Sequence, residues 1–270
     1  MSRDFIVTKE HRRFIEFANA VRKERTIGIC HGDAGVGKTQ SGRRYAHWDT
    51  LEPFITEWGP RSETDTEHYA TANRSRTLFY TPPVLPKPAQ LVHEIDHLQT
   101  RLGICIDEHL RATGKVTGTH GRYNMGKRVE LLIIDEADRL KTTGLEQVRD
   151  YYDRHTLGVI LIGMPGIDKR LARYPQLYSR VGFAHEYRPL TPEELTAVLN
   201  RRWHTDGLAG EDDEFTQAVA IATIARITGG NFRLVDRLLT QIQRILTINQ
   251  LATVTPEVVE AARESLLIGH

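Results

Sequence analysis

Short apolar runs recur along the chain: TIGIC (26–30), TLFYT (77–81), ELLII (130–134), GVILI (158–162) and FAHEY (183–187). Runs of this length bounded by turn residues predict strands. Helical patterns such as PAQLVHEIDHLQTRL and LEQVRDYYDRH separate them. Strands alternating with helices predict a mostly parallel sheet in a three-layer α/β domain. After Pro189 the texture changes and no strand pattern returns. Thr191-Pro-Glu-Glu194 reads as a capping box with proline at the first helical position, and Thr255-Pro-Glu repeats the opening. Between them Leu234, Val235, Leu238, Leu239, Ile242, Ile245 and Leu246 fall on one helical face. These patterns predict an α/β domain over 1–190 and a small helical lid over 191–270. Residues 50–76 are polar and read as a solvated, loop-like insertion.

Charge adds little at first. The 270 residues carry 36 basic and 35 acidic side chains, so any anion-binding surface must be local. Two cysteines, Cys30 and Cys105, form neither a disulfide framework nor a metal spacing, which fits a reducing cytoplasm. The opening MSRDFIVTKEHRRF is too charged for a signal peptide, and no apolar run approaches membrane-spanning length. The expectation is a cytoplasmic protein with no membrane partner.

The strongest chemistry lies directly after the first strand. GDAGVGKT comprises Gly32, Asp33, Ala34, Gly35, Val36, Gly37, Lys38 and Thr39 and fits the phosphate-loop pattern. Its glycines permit backbone conformations that clash with a Cβ, so successive N–H groups converge on phosphate oxygens. Lys38 then reaches the β and γ phosphates of ATP, and the Thr39 hydroxyl takes a Mg²⁺ position. The helix that follows, read over 38–48, directs its positive end at the phosphates. VELLIIDEAD (129–138) supplies the second half: Asp135 would hold Mg²⁺, and Glu136 would polarise the attacking water. Two carboxylates at that strand end argue for hydrolysis rather than storage of the nucleotide.

HEIDH, with His93, Glu94 and His97, matches a zinc-protease pattern, but Thr100 replaces the glycine of the extended motif and no Met-turn follows. Surface or core histidines are the better reading. A basic stretch, 109–128, carries Arg111, Lys115, Arg122, Lys127 and Arg128 without an acidic residue, together with Thr117 and Thr119. Its cations and hydroxyls suit contacts to a DNA backbone that position without reading bases, and a solvated loop is the alternative.

GDAGVGKT, LLIIDEADRL, LIGMP, Arg180 and GGNFR (229–233) recur in this order in AAA+ ATPases, which the chain resembles over about residues 5–250. More narrowly, LLIIDEADRLKTTGLEQVRDYYDRHTLGVILIGMPGIDKRL resembles the ATPase subunits of DNA transposition systems, the TniB/TnsC type, with MuB and IstB as more distant relatives. The resemblance implies the P-loop AAA+ sandwich, with strand order 5-1-4-3-2 and a helical lid. It places nucleotide between neighbouring subunits of a homo-oligomeric ring or helical filament. It implies Arg180 as an arginine finger acting on the next subunit's ATP, with Arg173 competing for that role. Arg233 would be the lid's second sensor, and Ile6 and Val7 would line the adenine pocket. At the first-sensor position, usually a polar Asn or Thr, stands Met164, which cannot orient a water; this implies slow hydrolysis. The implied activity is an ATP-dependent ATPase that assembles on double-stranded DNA without sequence preference and recruits or activates a transposase of the DDE type. A protein-remodelling or signalling ATPase of the secretion type is the alternative, and a passive nucleotide-binding module is a third possibility that Glu136 argues against.

Overall fold

The computed structural model describes residues 5–57, 59, 62–85, 87–115, 126–205 and 214–266. The chain divides into two compact units. One comprises Arg13–Gly32 and Lys38–Glu186; the other comprises Met1–Arg12, Asp33–Gly37 and Tyr187–His270.

The first unit holds five strands: β1 (Ile27–His31), β2 (Thr77–Tyr80), β3 (Leu131–Ile134), β4 (Gly158–Gly163) and β5 (Val181–Glu186). They form one sheet in the order β2-β3-β4-β1-β5, with every pairing parallel. The expected AAA+ α/β sheet is therefore present, with the order the resemblance implied. Strands β1 to β4 are buried along nearly their whole length, as their unbroken apolar runs require. Strand β5 lies at an edge and alternates half-buried with exposed positions. That alternation explains why its sequence reading, 183–187, starts two residues late. Helix α1 (Lys9–Glu24) lays Phe17 and Val21 so close to β1 that a Cβ at Gly28 would lie 2.5 Å from Val21 Cγ2.

The helix after the phosphate loop is shorter than its reading. Helix α2 (Lys38–Tyr45) ends before His47, which takes left-handed backbone, and α3 (Trp48–Thr56) restarts at once. Residues 50–76 are not the expected solvated insertion. They contain most of α3 and the whole of α4 (Thr66–Ser75), which bury Trp48, Leu51 and Ile55, and Tyr69 and Ala72. These apolar residues keep helical spacing, but Pro53 and the polar residues between them hide the period. Helices α5 (Pro88–Ala112), α6 (Thr142–Arg154), α7 (Ile167–Leu171) and α8 (Pro175–Tyr178) complete this unit.

From Tyr187 onward, the regular structure among the second unit's described residues is helical. It contains α9 (Pro192–Thr205), α10 (Glu214–Thr228), α11 (Phe232–Asn249) and α12 (Pro256–Glu264). The capping box forms as read: Glu194 N–H donates to Thr191 Oγ1 at 3.3 Å, and Thr191 N–H donates to Glu194 Oε2 at 3.2 Å. Val235, Leu238, Leu239 and Ile242 of α11 enter a core shared with Leu199, Trp203, Ile224 and Val259, while Ile245 and Leu246 pack at its margin. The N-terminal segment belongs to the same unit. Its Glu10 carboxylate accepts from Arg188 N–H, and the Lys9 N–H donates to Glu194 Oε1 at 3.0 Å.

Candidate nucleotide site

In the sheet unit, β1 ends where Gly32 begins the loop, and Lys38 opens α2. The Lys38 side chain is buried and folds back so that its ammonium donates to the Gly32 carbonyl at 2.5 Å. Beside it, at the exit of β3, Asp135 is 3% exposed, and the Thr39 hydroxyl hydrogen-bonds its carboxylate. Burial raises the Asp135 pKa, with the Thr39 hydrogen bond opposing. A buried carboxylate held against a hydroxyl is a hard-oxygen donor pair, and it fits Mg²⁺.

Glu136 leaves the strand in left-handed backbone, φ 47°, a conformation that strains any non-glycine residue. That turn aims its carboxylate outward, half-exposed, and Arg139 pairs with it one helical turn later. Arg139 also donates to the Pro82 carbonyl at 2.7 Å. Asp138 instead turns across the sheet, where its carboxylate accepts from Met164 N–H at 2.7 Å. Gly163 makes room for it, since a Cβ there would lie 2.6 Å from Asp138 Oδ2. The thioether of Met164 is 44% exposed, so the fixed polar group at the β4 exit is the Asp138 carboxylate.

In the helical unit, Asp33, Ala34, Gly35, Val36 and Gly37 meet the start of α11. Gly35 and Gly37 have φ of 85° and 117°, where a side chain would be strained. Asn231 caps α11 by accepting from the N–H groups of Arg233 and Leu234, and its amide donates to the Ala34 carbonyl at 2.7 Å. Arg233 N–H also donates to the Gly35 carbonyl at 3.2 Å, so the Arg233 side chain departs from the loop's own backbone. A Cβ on Gly35 would lie 2.6 Å from Asn231 Oδ1, and one on Gly37 would lie 3.3 Å from Tyr187 Oη. Ile6 packs against the helical core, whereas Val7 is 52% exposed.

Several positions lie away from this chemistry. Arg180 forms two hydrogen bonds to the Asp153 carboxylate, at 2.6 and 2.7 Å, and a third to the Gln176 carbonyl. Arg173 is exposed, and its guanidinium has no partner among the described residues. In the basic stretch, Arg111 pairs with Glu108 and Arg128 with the buried Asp107, at 2.8 and 2.6 Å. Lys115 and Lys127 are exposed, while Thr117, Thr119 and Arg122 lie outside the described residues. Glu94 accepts from Tyr80 Oη at 2.6 Å, and His93 and His97 stack on one another.

Sequence reasoning passed over Asn231, Asp138, Arg139 and Tyr187. Asn231 had a signal, since Asn before a helical run is a preferred cap. The others act through contacts between distant stretches and carry no local pattern.

Residues 21–171 match the family model described as AAA domain. A Staphylococcus aureus relative, called a potential ATP-binding protein, is 43% identical over 272 residues, covering 99% of this chain and 98% of its own. Two solved structures share the fold at low identity. The RuvB Holliday junction branch migration motor of Thermotoga maritima aligns with a TM-score of 0.57 and 18% identity, over 98% of this chain and 71% of its own. The ORC2 protein of Aeropyrum pernix, solved with ADPNP and ADP, aligns with a TM-score of 0.54 and 12% identity, over 98% of this chain and 70% of its own.

Proposed function

The chain belongs to the AAA domain family and is an ATP-binding protein, and from that premise we propose that it is a DNA-dependent regulator of the TniB/TnsC type. In this reading it hydrolyses ATP, assembles as a homo-oligomer on duplex DNA, and recruits or activates a DDE-type transposase there. The observation that carries the hydrolytic part is the grouping of buried Lys38, Thr39 and buried Asp135 with Glu136 after β1 and β3, the two strands that flank β4 in one sheet.

Each residue has a separable task. Lys38 neutralises charge on the β and γ phosphates, and the loop N–H groups from Gly35 to Thr39 orient them. Thr39 and Asp135 would hold Mg²⁺, which supplies charge neutralisation at the phosphate oxygens. Glu136, once freed from Arg139, accepts a proton from the attacking water. The water oxygen bonds to the γ phosphorus, and the bond to the bridging oxygen breaks with its electron pair leaving on ADP. Arg233 would report the phosphates to α11, and Arg180 or Arg173 would reach a neighbouring subunit's ATP.

The DNA part draws support from the exposed cations Lys115 and Lys127, between α5 and β3, which have no partner among the described residues. It is also compatible with the RuvB neighbour, a motor at Holliday junctions. No helix among the described residues is long and apolar enough to cross a membrane.

The test is an ATP-dependent mobility shift on unrelated duplexes. Wild type with a slowly hydrolysed ATP analogue should bind all of them; Lys38→Ala should not, and Glu136→Gln should bind with ATP itself. Duplex binding that ignores nucleotide would sink the regulator reading.

A further inference from the structure

In a parallel sheet, every segment leading into a strand lies along one edge, and every strand exit lies along the other. The exits carry Asp135 and Glu136. The entries carry arginine in each case: Arg25 before β1, Arg76 before β2, Arg128 before β3, Arg154 before β4 and Arg180 before β5. Lys115 and Lys127 belong to the same edge, because residues 113–130 connect α5 to β3.

Cations are favoured at helix C-termini, and helix ends meet this edge. That preference, together with local pairing, accounts for most of these arginines. Arg76 and Arg22 share the Glu130 carboxylate at 2.9 and 2.5 Å, Arg154 pairs with Asp150, Arg128 with Asp107 and Arg180 with Asp153. Arg25 also follows the last turn of α1 directly, but local pairing does not extend to it. This residue takes left-handed backbone, φ 51°, a slot that favours glycine or asparagine. Arg76 occupies the same kind of slot, φ 45°, but Asn73 and Glu130 fix its guanidinium. The Arg25 carbonyl accepts from Tyr152 Oη at 2.8 Å, while its guanidinium has no partner among the described residues. Lys23 is likewise exposed and unpaired. Together with Asn19, Arg22 and Glu130 they line an open cleft of ≈ 330 Å³. Its single carboxylate is already shared by two arginines, so the cleft presents uncompensated positive charge to solvent.

Among the described residues, two pairs of unpaired cations remain on this edge, Lys115 and Lys127 before β3 and Lys23 and Arg25 in the polar cleft before β1, and separated cations of this kind suit a polymer of anions. We infer that this edge is a phosphate-contacting surface for duplex DNA, with Lys23 and Arg25 receiving a backbone phosphate in the cleft beside Asn19. The inference rests on the DNA reading above and extends it to α1, far in sequence from the basic stretch. Contacts of this kind position the duplex and carry no base preference.

The test is the double variant Lys23→Ala/Arg25→Gly, chosen because glycine suits the left-handed slot that alanine would strain. Unchanged melting temperature and ATP binding confirm that it folds. Both proteins are titrated into fluorescent duplexes from low to moderate salt, with and without an ATP analogue. We expect at least a tenfold loss of affinity, equal on unrelated sequences, and a salt slope shallower by about 0.9 for each phosphate contact given up. Arg25→Lys should restore most of the binding. Identical affinity and slope in wild type and double variant would overturn the inference while leaving the DNA reading intact. Nucleotide-independent binding that the double variant loses would uphold this edge and overturn ATP control. Failure of wild type to bind at the lowest salt would overturn both, and an equal loss of binding to a poly-glutamate peptide would reassign the edge to acidic protein segments.

Discussion

Arg139 holds the Glu136 carboxylate with one guanidinium nitrogen, Nη2, and the Pro82 carbonyl with the other, Nη1. The residue proposed to polarise water is therefore tied to the loop that leaves β2. For Glu136 to act as a base, its carboxylate must trade Arg139 for a water. Because Glu136 is half-exposed, the pair contributes about 1 kcal/mol at most, or roughly fivefold in rate. Arg139→Ala should accordingly raise basal ATP hydrolysis by up to about that factor without changing nucleotide affinity. A steady-state assay read as kcat and KM decides it. A fall in kcat at constant KM would show that Arg139 orients the base productively instead.

Gly35 offers a second test, because its backbone and its surroundings both reject a side chain. Gly35→Ala places a Cβ at φ 85°, against Asn231 Oδ1 and Arg233 Cβ. The strain is on the order of 1–3 kcal/mol, so ATP affinity should drop about tenfold or more. Asn231→Ala removes the cap of α11 without crowding the loop, and should cost about 1 kcal/mol of stability with a smaller effect on affinity. Isothermal titration paired with thermal melts separates the two. Wild-type affinity in Gly35→Ala would show that the loop does not use this conformation to bind.

What the sequence disclosed followed from locality. The phosphate loop is contiguous, and its requirement for positive φ is written directly as Gly35 and Gly37. The buried strands β1 to β4 are unbroken apolar runs. Strand order needed the family resemblance, since no residue in β1 announces that it will pair with both β4 and β5. Helix α4 escaped notice because Tyr69 and Ala72 are its main apolar anchors among polar neighbours. The site's supporting contacts are non-local: Arg139 reaches Pro82, and Asn231 reaches Ala34, across 57 and 197 positions. Arg128 looked like a free cation until the structure placed Asp107 beneath it. Charge on one residue can be read from a sequence, but its neutralisation by another cannot.

The finger assignment turns on Asp153. Arg180 is held on its own chain by that carboxylate, whose pKa Arg180 lowers chiefly through hydrogen bonding, whereas Arg173 has no partner among the described residues. If Arg180 acts in trans, assembly must draw it from Asp153, and Arg180→Ala should reduce assembled hydrolysis by about 10³-fold or more while sparing monomer binding. Mixing it with Lys38→Ala subunits should restore activity, because Lys38→Ala protomers still present an intact Arg180 to the neighbour's ATP. Should Arg173→Ala show this behaviour and Arg180→Ala retain full activity, the free arginine is the finger.

Glu130 gives the last prediction, and its sign can be worked out. Burial works against the charged carboxylate, but Arg22 and Arg76 outweigh it and hold the pKa below the ordinary value. A carboxylate with a depressed folded pKa adds stability above its unfolded pKa, and that stability disappears as pH falls through the folded pKa. Glu130→Gln should therefore melt at a lower temperature than wild type near pH 7, and the gap should close on acidification below about pH 4. The same substitution removes the one carboxylate lining the cleft beside Lys23 and Arg25, so duplex affinity should rise even as stability falls. Melting curves at neutral and acid pH, run beside the duplex titration, check both halves. A gap that stays constant with pH would mean that Glu130 stabilises through shape rather than charge. Weaker duplex binding by a folded Glu130→Gln protein would mean that the carboxylate orients Arg22 for the phosphate.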